Sequence, residues 1–373
     1  MLLYCCMVKT LAIETSCDDT SVWIVDFDGQ IFSVDSLLAY SQIDDHQKYW
    51  WVVPEIASRL HSEKILEVIK NIGLDKIKDV DFISVTVHPW LPGSLVVGKA
   101  VASLLSSYFA KPLVHVNHIY GHLFSLLLDR KTSDIQFPLV VLTASGGHND
   151  IYIVNSEKWK VKSDGISFHE FGWYTIAKVG YTLDDAAGEC FDKVSRMLGG
   201  PYPGGQWIGE KALQGKPNSD VEFKRIFLSK ENFEFSFSWM KSQVSFLLKK
   251  LRDKEQGTRD EENNWDHVPW TMSPLPEELV CDIAYEFQEA VVEVMVKKLV
   301  RAGIAFEAKT LGLAGGVSCN DRLREYLNEY WKLKIENWKF LRPMKKVYSM
   351  DNAAMIGLAG ILEFSEEWKV KSE

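Results

Sequence analysis

The stretch Lys9-Thr-Leu-Ala-Ile-Glu-Thr-Ser-Cys-Asp-Asp-Thr-Ser-Val-Trp-Ile-Val-Asp-Phe-Asp-Gly-Gln-Ile-Phe-Ser-Val-Asp-Ser-Leu-Leu38 decides the fold class. Lys9 to Thr15 is an apolar, β-branched run and reads as a buried strand. A polar turn follows, then a second run from Val22 to Phe27, and Asp28-Gly29 leads into a third from Gln30 to Leu38. The three runs make a β-meander. Beyond it the period changes. Pro54 to Ile72 carries Ile56, Leu60, Ile65 and Ile69 at helical spacing. Phe82 to Val87 reads as a strand, Gly93 to Phe109 as a helix, Leu113 to Val116 as a short strand, and His118 to about Leu127 as a helix.

Three strands followed by alternating helices and strands form the ribonuclease H-like pattern, and it restarts at Phe137. Pro138 to Ala144 and Ile151 to Val154 read as strands joined by Ser145-Gly146-Gly147. Leu183 to Leu198 and Glu278 to Ala302 read as helices, Thr310 to Ala314 as a strand, and a further helix starts at Asn320. Gly199 to Pro274 is rich in Gly, Pro and charge and reads as an insertion. The expectation is an α/β fold of two ribonuclease H-like lobes around a central cleft. Residues 7–130 form the first lobe and 131–350 the second, with the insertion at about 199–274. Residues 351–373 form a C-terminal helix returning toward the first lobe.

Length and composition agree. The 373 residues, 46% hydrophobic and 25% charged, suit two or more domains and exclude disordered and low-complexity classes. No apolar run approaches the roughly 18 residues of a membrane span. The net charge of −9 excludes a broadly basic nucleic-acid binder but leaves room for a local basic patch, such as Lys249-Lys-Leu-Arg252 or Arg342-Pro-Met-Lys-Lys346. The six cysteines are scattered without a C-x-x-C pair, which fits a reducing cytoplasm rather than a disulfide framework or zinc ribbon. Met1 to Cys6 is apolar but too short for a signal peptide and without its basic region; Met7 reads as the natural start, with a genuine short extension as the alternative.

Several groups can carry chemistry. His118 and His122 stand at i and i+4, one face of a helix and a metal-ligand spacing. His115 lies in the preceding strand and is a poorer ligand. Ile119 occupies the place of the Glu in the zinc-protease motif, so no general base accompanies the pair. Thr143-Ala-Ser-Gly-Gly-His148, Tyr202-Pro-Gly-Gly205 and Ala314-Gly-Gly-Val-Ser-Cys-Asn320 are glycine turns after strands, where backbone N–H groups can meet an anion. Asp185, Glu189 and Asp192 fall at i, i+4 and i+7 of one expected helix; Lys193 and Arg196 are ready ion-pair partners there. Gly93 to Ala100 nearly matches a phosphate-binding loop but lacks the final Ser/Thr, and Leu95, Val96 and Val97 suit helix packing instead.

These motifs together resemble the tRNA N6-adenosine threonylcarbamoyltransferase family, TsaD type, from about Val8 to Gly360. The resemblance rests on Ile13 to Thr20, Val52 to Arg59, Ser145 to His148, Asp184 to Lys193, Tyr202 to Gly205, Ala314 to Val317 and Asp351 to Ile356. It implies the actin/sugar-kinase/Hsp70 (ASKHA) type of fold. It implies a divalent metal, iron ahead of zinc, on His118, His122 and Asp351. It implies a threonylcarbamoyl-adenylate site built from Thr143, Ala144, Ser145, Gly146 and Gly147 with Asp192, Gly205 and Asn320; Glu14, Asp18, His148, Asp185 and Glu189 are additional candidates. The implied reaction moves threonylcarbamoyl from threonylcarbamoyl-AMP to N6 of the adenosine next to the anticodon in tRNAs reading ANN codons. The implied partners are tRNA, a TsaB-like paralogue and a TsaE-like ATPase, with no membrane. The rival readings are an ATP-binding kinase of the same fold, a non-catalytic assembly subunit and a metallopeptidase.

The chain departs from the family at informative places. Tyr120 replaces an acid inside the His pair, and Met350 replaces Thr before Asp351. Trp50, Trp51, Trp90 and Trp239 stand where the family has glycine, in a chain with 13 tryptophans. Trp is a poor replacement for a residue chosen for positive φ or close approach. UGA codons meaning glycine in the source but decoded as tryptophan would produce this pattern, with Trp23, Trp173 and Trp207 as further candidates.

Overall fold

The computed structural model describes residues 7–156, 166–225, 228, 231–256, 275–332 and 338–371. Met1 to Cys6 and the end of the expected insertion, 257–274, lie outside them. The first sheet contains β1 (Val8–Glu14), β2 (Asp19–Phe27), β3 (Phe32–Ser41), β4 (Phe82–His88) and β5 (Leu113–Asn117), in the order β3-β2-β1-β4-β5. The meander is antiparallel; β4 and β5 continue it in parallel. The strands read as near-continuous apolar runs because both faces are covered. Leu11, Ile13, Val22 and Ile24 share a core with α2 (Pro54–Ile72) and α4 (Pro92–Phe109). Ala12, Trp23 and Val25 face the other way, into a core with the last helix. Two short helices, α1 (Ile43–Gln47) and α3 (Leu74–Lys78), flank α2.

The second sheet repeats the plan. It contains β6 (Leu139–Ala144), β7 (Asn149–Asn155), β8 (His169–Phe171), β9 (Tyr174–Tyr181), β10 (Thr310–Ala314) and β11 (Lys339–Leu341), in the order β11-β10-β6-β7-β9-β8. β9-β7-β6-β10-β11 thus matches β3-β2-β1-β4-β5, with antiparallel and parallel pairs in the same places and β8 added at the edge. β8 and β9 escaped the sequence reading.

The remaining helices are α5 (His118–Phe124), α6 (Ala187–Met197), α7 (Gly204–Ala212), α8 (Ser238–Gln256), α9 (Glu277–Ala305), α10 (Asp321–Lys332) and α11 (Ala353–Lys371). α11 lies on the first sheet: a Cβ on Gly357 would stand 2.5 Å from Val25 Cγ2, and one on Gly360 2.0 Å from Ser84 Oγ. Residues of α5 and α11 share one core with both sheets, including Ala12, Val25, Val141 and Tyr152.

One expectation needs correction. The helix expected from Leu183 begins only at Ala187, so Asp185 precedes it and does not complete a stripe with Glu189 and Asp192. Asn149 explains the late start: its side chain accepts the Ala187 N–H at 2.7 Å, and Asp184 turns instead toward the start of α8, where it accepts the Phe237 N–H. The stretch read as an insertion is also more structured than its composition suggests. Its helices α7 and α8 bury Ile208, Met240 and Val244 in the core of the second lobe.

Candidate active site and metal centre

α5 springs directly from β5. The Asn117 side chain accepts the Ile119 N–H and so starts the helix at His118. His122 follows one turn later on the same face. Gly121 lets the first turns of α11 come close: a Cβ there would stand 3.0 Å from side-chain atoms of Met355 and Ile356. The start of α11 is held by Asn352, whose Oδ1 accepts the Met355 N–H at 3.1 Å, and by Ser21, which accepts the Ala353 N–H at 3.0 Å. Asp351, 229 residues from His122, is thereby delivered to the imidazole pair. Its Oδ1 lies 3.0 Å from His122 Nε2 and 3.5 Å from His118 Nε2, and the three ligand atoms lie within 4.8 Å of one another.

Glu14 backs this triad. Its Oε2 lies 3.0 Å from His118 Nδ1 and accepts the Thr86 hydroxyl at 2.7 Å; Oε1 accepts the Ser16 N–H. A carboxylate acceptor fixes the His118 proton on Nδ1 and turns Nε2 toward the triad. Burial opposes charge on His118, but Asp351 and Glu14 outweigh it and push its pKa up to about 10. Burial likewise opposes ionisation of Asp351, yet the His118 charge and both imidazole bonds hold it well below the usual carboxylate range. Burial lowers the pKa of His122. Two carboxylates, Glu14 fully buried and Asp351 partly exposed, against one imidazolium leave one negative charge uncompensated, and a divalent cation in place of that proton would balance them. Two imidazole nitrogens and one carboxylate also form a donor set suited to iron or zinc. The residues fit the metal.

The second lobe supplies the opposite wall. Thr143 and Ala144 belong to β6 and are buried, so the open part of the turn is Gly146-Gly147. Ser145 Oγ accepts the Gly147 and His148 N–H groups, each at 3.3 Å, and lies 2.8 Å from His148 Nδ1. With both acceptor positions used, the Ser145 proton goes to Nδ1, and the His148 ring proton sits on Nε2. That buried Nε2 has no partner among the described residues, and the His148 ring lies 6.1 Å from that of His122. Burial drives the His148 pKa well below the usual value, so the ring is neutral. α6 is pressed against the turn: a Cβ on Gly188 would stand 2.7 Å from Ser145 O. Asp192 on α6 accepts the Gly204 N–H at 2.6 Å, which brings it beside Gly205; burial raises its pKa to about 6. Burial and the charge of Asp351 raise the pKa of Asp18, and the Asp18 charge adds to the rise at Asp192.

Other candidates have structural duties. Asn320 caps α10 through Leu323 N and donates to Gln288. Asp185 pairs with Lys193 and Lys241, and Glu189 with Lys193. Exposed His115 takes no part in the triad. The phosphate-loop near-match lies inside α4, where a Cβ on Gly98 would stand 2.4 Å from Thr15 Oγ1. Tyr120 points toward the second lobe and bonds His169.

The tryptophans divide into two groups. Trp90 lies edge-on to His118 at 6.0 Å between ring centres and 5.7 Å from His148; its ring stands 2.2 Å from where a Cβ on Gly147 would be. Trp50 has φ +66°, and Trp51 and Trp239 are each 55% exposed. Trp23 differs: it is fully buried and donates Nε1–H to Leu38 O at 3.1 Å. Trp173 packs on Phe27 and Phe32, and Trp207 against the second-lobe core.

Among solved structures, the chain is similar to HypF of T. kodakarensis, with a TM-score of 0.53 at 14% identity over 97% of this chain and 48% of that one. A second structure, full-length HypF in the phosphate- and nucleotide-bound form, gives a TM-score of 0.51 at 12% identity over 97% and 47%. The chain spans about half of each, and the likeness shows the fold alone, the ASKHA type. Sequence relatives say more. The profile of the family described as TsaD: tRNA N6-adenosine threonylcarbamoyltransferase matches residues 36–358. The protein of that name from Kosmotoga olearia is 39% identical over 94% of this chain and 92% of its own length. The one from Mesoplasma florum is 37% identical over 94% and 96%. Matched at this identity along nearly its whole length, the chain belongs to the tRNA N6-adenosine threonylcarbamoyltransferase family.

Proposed function

We propose that this protein transfers the threonylcarbamoyl group of threonylcarbamoyl-AMP to N6 of the adenosine next to the anticodon in tRNAs reading ANN codons, releasing AMP. The observation that carries the reading is the Glu14-backed triad of His118, His122 and Asp351 lying against the Ser145–His148 turn. A divalent ion on that triad, iron ahead of zinc, would supply Lewis-acid polarisation of an acyl or phosphate oxygen. The chain's own groups do the rest. Glu14 holds the His118 proton away from the ligand side. Gly146 and Gly147 let the adenylate approach the backbone, and neutral His148 offers its Nε2–H to developing negative charge. Asp192 has one oxygen on Gly204, so its other oxygen meets the donor's hydroxyls.

Neither peptide cleavage nor phosphate transfer is favoured. Ile119 leaves the His pair without an adjacent base, and the near-match to a phosphate loop is helix interior. The protein works in the cytoplasm with a TsaB-like paralogue and a TsaE-like ATPase; among the described residues no helix is long and apolar enough to cross a membrane. The test is incubation with synthetic threonylcarbamoyl-AMP and unmodified tRNA, partners supplied, followed by nucleoside mass spectrometry. Modified adenosine is expected; AMP release without it would contradict the reading.

A further inference from the structure

Behind the active-site turn of the first lobe, three polar side chains form one buried chain of hydrogen bonds. Gln42 precedes α1, His46 lies on α1 and His61 on α2, and all three are fully buried. The proton positions follow from the outer end. Val53 N–H donates to His46 Nδ1 at 3.3 Å, so the His46 ring proton sits on Nε2 and goes to Gln42 Oε1 at 3.1 Å. The Gln42 amide nitrogen then faces His61 Nδ1 at 3.3 Å, where the Thr20 hydroxyl also lies, at 2.7 Å. With Nδ1 an acceptor, His61 carries its proton on Nε2 and donates it to the Cys17 carbonyl at 3.0 Å. Burial lowers the pKa of both imidazoles, so both are neutral. Gln42 also gives its backbone N–H to the Asp18 carbonyl at 3.0 Å. Two successive carbonyls of the turn are thus held from behind. The same turn braces the metal triad: Ser16 N–H donates to Glu14 Oε1, and Ser16 Oγ lies 3.1 Å from His118 Nδ1.

We infer that His61 is a positioning residue for the metal centre: its Nε2–H, backed by Gln42 and His46, fixes the Ser16–Asp18 turn and through it the orientation of Glu14 and His118. Packing alone is a poor account of these residues. Two imidazoles and an amide cost free energy to bury unless each bond is made, and apolar side chains would fill the same space without that condition. Here every ring nitrogen of the two imidazoles has a partner, an arrangement that holds one geometry. The inference rests on the proposed function only in taking His118, His122 and Asp351 as a metal site.

The test is cobalt titration of the full chain, read by visible absorption, beside transfer kinetics with partners supplied. His61→Leu should shift the cobalt spectrum, weaken cobalt binding by about tenfold and lower kcat by about tenfold, with KM for tRNA unchanged. His61→Gln, whose amide can donate from the Nε2 position, should restore most of the spectrum, affinity and rate. Urea unfolding gives the folded fraction of each variant. If His61→Leu does not fold, Gln42→Met takes its place: it cuts the side-chain link, keeps the backbone N–H on Asp18, and should move the spectrum the same way. A folded variant that has lost only stability, with parent-like spectrum, cobalt affinity and kcat, would overturn the inference. So would a His61→Gln protein no better than His61→Leu. A parent that transfers nothing but shows the His61-dependent cobalt response would uphold the inference and refute the proposed reaction instead.

Discussion

His118 Nδ1 lies 3.0 Å from Glu14 Oε2, and each of the two side chains is only 1% exposed. This contact joins the first strand of the chain to the metal triad. The carboxylate orients the imidazole without itself touching the ligand side.

Glu14→Gln should therefore weaken binding of the divalent metal by about 10- to 100-fold, as loss of such outer partners generally does. Cobalt titration followed by visible absorption reads this without any transfer assay. Glu14→Ala should in addition destabilise the fold by about 1–3 kcal/mol, because the Ser16 N–H and Thr86 hydroxyl lose a buried acceptor.

Asp192 gives a pH dependence of known sign. Its folded pKa, about 6, lies above the ordinary 3.8. The folded state then holds the proton more tightly than the unfolded chain. The stabilisation from this group is full below pH 3.8, falls as pH rises, and is gone above about 6. Urea midpoints between pH 4 and 7 should decline less in Asp192→Asn than in the parent. Parallel pH curves would contradict the assignment.

Our hypothesis for the tryptophans is that UGA codons meaning glycine were decoded as tryptophan at positions 50, 51, 90 and 239. Trp90→Gly should clear the space over Gly147 and tighten threonylcarbamoyl-AMP binding by about tenfold, some 1.4 kcal/mol. Calorimetric titration checks this; weaker binding would show the ring to be a platform for the ligand. Reading the codons is simpler still, since UGG at all four positions would end the idea.

The same hypothesis separates the tryptophans by stability. Trp50→Gly relieves left-handed strain of roughly 1–2 kcal/mol and loses an Arg196 contact and chain stiffness of similar size, so it should stay within about 1 kcal/mol of the parent. Trp23→Gly should cost more than about 3 kcal/mol through the cavity it leaves. Thermal or urea unfolding distinguishes them, and a tolerated Trp23→Gly would enlarge the recoded set.

Much of this was legible in the sequence. The meander of the first lobe and the restart after Phe137 are carried by buried apolar runs, which keep their meaning whatever packs on them. His118 and His122 declare themselves by spacing. Asp351 does not; nothing local distinguishes it from other acids, and the motif resemblance alone named it. Leu183 looked helical because acids near a helix start are common, but Asn149, 38 residues away, sets the true boundary at Ala187. β8 and β9 were missed because Tyr174 to Tyr181 mixes polar, charged and apolar residues and depends on pairing with β7. α7 and α8 were hidden by the Gly, Pro and lysine content around them, though Met240, Val244 and Leu248 carry the helical spacing. Trp90 could be flagged as a departure, but only the structure shows it over His118, His148 and Gly147.

The most direct test compares the parent with His122→Ala in transfer of threonylcarbamoyl from synthetic threonylcarbamoyl-AMP to unmodified tRNA, with metal and partners supplied. The account predicts modified adenosine from the parent and a loss of at least about 100-fold, or roughly 2.7 kcal/mol of barrier, in the variant. Equal product from both, or none from the parent, would contradict it.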